Sequence, residues 1–188
     1  MSELKDLKVY KCNDRFGVIT LENYLEYEEI FKDVDIIDCY IMLQSGVTLN
    51  LYNVIQCKDT IILCENSKIK ANELLECCDI DLKKNSTFVA NKLTKVTSIT
   101  LYDGCIFNSN ILKEVHSLYL SYNSTYKNDV LEKCNFITLC NNTSLKVDSL
   151  KECNEIVVFH NVEMEKYLYE KFPNSIFNIC DESTRYIT

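Results

Sequence analysis

Ile55, Leu74, Leu93, Leu112, Leu131 and Leu150 stand 19 residues apart, and each opens a copy of one pattern, L-x-x-C/V-x-x-I-x-L-x-x-N-S-x-F-x-A-N-x. A fixed period of this length predicts a solenoid, each copy one turn of the chain. The seventh slot is always aliphatic (Ile61, Ile80, Ile99, Leu118, Ile137, Ile156), and so is the ninth (Leu63, Leu82, Leu101, Leu120, Leu139, Val158). Two apolar residues separated by one lie on the same face of a strand, and that face is the expected core.

The twelfth slot holds Asn66, Asn85, Gly104, Asn123, Asn142 and Asn161, mostly followed by a small hydroxyl such as Ser67, Ser86, Ser124 or Thr143. Asn and Gly suit a corner because they enter left-handed backbone conformations at low cost, and stacked corners would align the amides into a ladder. Beyond the corner, Ile69/Ala71, Phe88/Ala90, Phe107/Ser109 and Leu145/Val147 alternate inward again, so a second short strand is expected; Tyr126/Asn128 matches less well. Roughly six inward side chains per copy, at ~1.5–3 kcal/mol each, do not offset ordering 19 residues at ~1–2 kcal/mol apiece. No copy should fold alone.

The near-continuous repeat leaves no room for a second core, so one domain is expected across residues 1–188. An N-terminal cap (1–30) would hold strands around Leu7–Cys12 and Phe16–Leu21, as a hairpin or two strands, then a helix over Leu21–Phe31. Coils would fill 31–162, regular from 55, with Phe31, Val34, Ile37 and Cys39 in the first, fourth, seventh and ninth slots of one degenerate coil. Met164, Tyr167, Leu168 and Phe172 predict a helical cap over 163–188, with a last strand near Ile176.

The formal charge of −8 argues against a phosphate-tracking surface, so no nucleic acid is expected. The opening residues lack the apolar core of a signal peptide and no run is long enough to span a membrane, so the expectation is a cytoplasmic protein with its eleven Cys as thiols. The Asn-x-Ser/Thr sequences at Asn85, Asn123, Asn141 and Asn142 are expected to serve the corners rather than carry glycans.

The run Val115-x-x-Leu118-x-Leu120-x-x-Asn123, repeated from Cys134 and from Cys153, resembles the conserved half of a leucine-rich repeat, LxxLxLxxN. The likeness covers roughly 55–161, and Cys in the fourth slot is similar to a bacterial and protozoan surface-protein subgroup. It implies a right-handed coil with a stacked parallel sheet whose exposed face binds partners, usually proteins. The short unit and the strand-like segment in place of a helix would also suit a parallel β-helix, which stays open as the alternative.

If the seventh and ninth slots point in, the sixth, eighth and tenth point out. That outer face gathers Tyr102, Tyr119, Phe136 and Phe159, with Tyr122 and His160 at its border. The second strand instead shows Lys68, Lys70, Lys127 and Lys146, as a solvated face does. Exposed rings favour a protein–protein interaction or scaffolding module, non-catalytic, monomeric, and without cofactor or metal. The enzymatic alternative is a small carbohydrate-active β-helix using Asp79, Asp81 and Asp103. His116 and His160 fall too far apart in this arrangement to share a proton or a metal, and no nucleotide or nucleophile motif is present.

Overall fold

In the strand Glu114–Leu120, Val115, Leu118 and Leu120 are sealed from solvent while Ser117 and Tyr119 remain partly exposed. Ile99 pairs with Leu118 and Leu118 with Ile137, so the buried residues stack vertically from coil to coil. A computed structural model describes residues 7–12, 16–159, 162–178 and 185–187. It shows a β-solenoid of about 7 turns, its strands parallel throughout.

One long sheet of 11 strands carries the first nine slots. The short strands after the corner form two separate sheets of 4 strands, one ending at Ile106–Asn108 and the other starting at Thr125–Lys127. The core runs as a continuous column between them, from Ile19 and Phe31 to Val162 and Leu168.

The corner works as its residues require. Asn66, Asn85, Asn123 and Asn142 have φ between 54° and 59°, and Gly104 has φ 67°. Backbone bonds link these corners upward, Asn66 N–H to Lys84 O at 3.0 Å and Asn85 N–H to Asp103 O at 2.9 Å. The ladder at this corner is therefore one of main-chain groups; a side-chain amide bond joins coils at the eighteenth slot, where Asn91 Nδ2 donates to Asn72 Oδ1 at 3.3 Å. The hydroxyls of the thirteenth slot are buried; Ser67 and Thr143 donate to the carbonyl three residues back, Cys64 (2.6 Å) and Cys140 (2.8 Å), while Ser86 Oγ meets Cys105 Sγ at 3.6 Å.

Tyr126 and Asn128 fit after all. Tyr126 is fully buried, and the Asn128 amide donates to Leu112 O at 3.2 Å and to Tyr126 Oη at 3.3 Å, so the polar pair satisfies itself within the core.

The early coils depart from the expected register. Cys57 pairs with Cys77 and Ile61 with Ile80, leaving one extra residue between the fourth and seventh slots. Val54, fully buried, therefore opens this coil in place of Ile55. The preceding coil carries the same insertion: Ile37 pairs with Cys57 and Ile41 with Ile61, so Val34, Ile37, Ile41 and Leu43 fill its first, fourth, seventh and ninth slots. Gly46 then stands at the corner as the counterpart of Asn66, donating its N–H to Glu65 O. A bulge accounts for the shift, because one added residue moves all earlier assignments without disturbing later ones.

The first turn is not a hairpin. Val9–Tyr10 and Phe16–Ile19 pair in parallel with Ile36–Ile37 and Tyr40–Leu43, making one more rung whose short strand is replaced by the helix Tyr24–Lys32. This rung brings Cys12 beside Cys39 in a disulfide, Cα atoms 5.7 Å apart, so these two cysteines are not thiols. The far end also continues the coil: Glu163–Glu165 joins the short-strand sheet, the helix Lys166–Lys171 follows, and Ile176–Asn178 pairs with the long sheet. Met164 thus belongs to a strand rather than to the helical face, and the helical cap is an interrupted turn.

Candidate functional site: the outer face of the long sheet

The helix Tyr24–Lys32 lies against the short strand Thr48–Asn50, and the helix Lys166–Lys171 adjoins Glu163–Glu165. Both lie on the short-strand side, and among the described residues neither covers the outer face of the long sheet. That face is set by strand alternation: Tyr119 sits between the sealed Leu118 and Leu120, and Tyr102, Phe136 and Phe159 each adjoin one sealed residue, Leu101, Ile137 and Val158.

Tyr102 is half-buried, with Lys83 Nζ 4.1 Å from its ring centroid. The same ammonium pairs with Asp81 Oδ2 at 2.7 Å, so a cation bridges a carboxylate and a ring. Asp81 Oδ1 is shielded from solvent and makes no hydrogen bond. Tyr119, two positions from the tenth-slot ladder, forms a hydrogen bond between its hydroxyl and the Cys140 thiol of the next coil at 3.1 Å. That bond, followed by burial, pushes Tyr119 up to about 12. Phe136 is 40% exposed and meets the His116 ring edge-on at 5.3 Å. His116 Nδ1 in turn accepts from the Asn135 amide at 3.0 Å, which orients the imidazole. Phe159 is half-buried at the end of the ladder.

Of the expected site residues, the structure brings Tyr102, Tyr119, Phe136 and Phe159 to one face. Tyr122 stands at its border, 60% exposed. His160 lies outside the described residues. The face also extends further toward the N-terminus than the repeat indicated: Met42 pairs with Ile62, and Tyr40 stands one outward position before it. The bulge hid these two, and only the spacing from Ile37 to Ile41 would have revealed them.

None of these three contacts is a parallel ring stack: Tyr102 meets a cation, Tyr119 a thiol, and Phe136 the edge of the His116 imidazole. Aromatic stacking occurs instead in the interior, where Phe88 and Phe107 lie 5.8 Å apart and Phe107 and Tyr126 6.1 Å. Asp81 is already paired with Lys83, Asp103 sits beyond the strand at the corner, and no cluster of three metal-binding side chains occurs among the described residues.

Beside the face run ladders of alternating charge. Lys133 Nζ lies 4.0 Å from Glu114 and 3.3 Å from Glu152, and Glu132 lies 3.5 Å from Lys113 and 2.8 Å from Lys151. Sign alternation every 19 residues was the available signal. These exposed pairs favour the register more than they add stability. No helix among the described residues is long and apolar enough to cross a membrane. Comparison with protein-family models, curated proteins and solved structures gave no match.

Proposed function

We propose that this protein is a non-catalytic interaction or scaffolding module that holds a protein partner against the outer face of its long sheet. The observation that carries the reading is a bare face on which Tyr102, Tyr119, Phe136 and Phe159 remain partly exposed while two helices pack elsewhere. Rings fixed by strand backbone and by neighbours lose little entropy on contact, which is why aromatic side chains concentrate binding energy. Charges are few at the centre of the face and gathered on its flank, the distribution of an interface core with a polar rim.

A photo-crosslinking residue placed at Thr138, between the rings, should capture a discrete protein, whereas one placed at Lys146 on the short-strand side should not. The double substitution Tyr119→Ala/Phe136→Ala should abolish capture with the circular dichroism spectrum preserved. Equal capture from both positions, or capture that survives the double substitution, would sink the reading.

A further inference from the structure

The short-strand side of the stack is held by regular backbone bonds at its other junctions. Thr87 N–H donates to Ser67 O (2.9 Å), Ile106 to Ser86 (2.9 Å), Ala90 to Asn108 (3.0 Å) and Ser144 to Ser124 (3.0 Å). Between Ile106–Asn108 and Thr125–Lys127 the ladder is broken, and most Cα pairs across the break stand more than 8 Å apart. On the opposite side of the same two coils, Lys95–Leu101 and Glu114–Leu120 remain fully in register. The result is a wedge-shaped seam hinged on the long sheet.

Neighbouring strands stand about 4.8 Å apart, so one inserted strand needs about 9.6 Å. Across the seam most Cα pairs lie beyond 8 Å, wider than the single spacing of a paired ladder. Its floor is made by Phe107 and Tyr126, whose rings are tilted 26° to each other, where Phe88 and Phe107 are within 6° of parallel. Phe107 is half-buried although Ile69, Phe88, Tyr126 and Leu145 in the same slot are sealed. Toward the next corner the seam widens into an open cavity of about 410 Å³, bordered by Asn108, Asn110, Lys127 and Asp129.

We propose that this seam is a second binding site, which accepts an extended peptide segment of a partner protein as an inserted strand. Both lips are strand edges, and only another extended backbone supplies donors and acceptors alternately on both of its sides at strand spacing. Because the two rings close the floor, the residue above them must be small, Gly, Ala or Ser. The outward side chains of the segment face solvent and are unrestricted.

Amide hydrogen exchange on the full chain tests the site, with a blocked heptapeptide of alternating Thr and Ala as probe. In the free protein Ser109 and Thr125 should exchange about tenfold faster than Ala90 and Ile106, their counterparts one coil earlier. Millimolar Thr/Ala peptide should slow both by about tenfold, while the same peptide with Leu for Ala, or with N-methylated amides, should leave them unchanged. Equal protection of all four amides without peptide, no slowing by the Thr/Ala peptide, or equal slowing by the N-methylated one overturns the proposal.

Discussion

The Tyr119 hydroxyl and the Cys140 thiol lie 3.1 Å apart on successive coils, and the bond between them helps push Tyr119 up to about 12. An unfolded tyrosine titrates near 10, so below that pH the phenol is neutral in both states and its stabilising contribution is complete. Between about pH 10 and 12 only the unfolded chain ionises, and that contribution is lost. Melting temperature should therefore begin to fall above about pH 10. In Tyr119→Phe the fall should be shallower, as read by circular dichroism.

Phe88 and Phe107 occupy the same slot of adjacent coils, but only Phe88 is sealed. Phe88→Ala should cost about 3–5 kcal/mol in urea unfolding, and Phe107→Ala clearly less, because its ring already borders the seam and leaves a smaller enclosed void. Equal losses would mean that the seam is closed in solution.

Gly104 has φ 67°, and a Cβ there would overlap Asn85 Oδ1. Gly104→Ala should destabilise by about 1–2 kcal/mol from backbone strain alone, and by more through the overlap. Adding Asn85→Gly, which removes the amide and tolerates the φ of 57° at that position, should return the second part and leave the first. Asn142→Gly, at φ 59°, should change stability only slightly.

The Cys12–Cys39 bridge closes a separation of 27 residues and ties the first rung to the next coil. Loop-closure entropy gives it about 3–4 kcal/mol. Reduction should expose the first rung to amide exchange before the later coils, and proteolysis under reducing conditions should begin there. Simultaneous loss of protection along the whole chain would contradict this.

From Leu74 to Val158 the coil was legible because inward slots repeat so strictly that a register error would turn apolar residues outward. The ring cluster followed from that alternation. The early coils were harder: their insertion sits between Ile37 and Ile41 and again between Cys57 and Ile61, and the pattern read through it with an offset. Cys12 and Cys39 gave no sequence signal for pairing, since their separation matches no multiple of the coil. The interior stack of Phe88, Phe107 and Tyr126 was visible as three apolar slots, but its tilt was not.

By itself the sequence determined the winding period, the inward slots and the rings left on the outside, because those depend on a side-chain direction that each strand sets locally. Only the tertiary structure decided where two neighbouring turns come apart, which cysteines meet and which face the helices leave bare. Those outcomes depend on how whole turns settle against each other, as the unpaired edges at Ile106–Asn108 and Thr125–Lys127 show. No single turn contains that information.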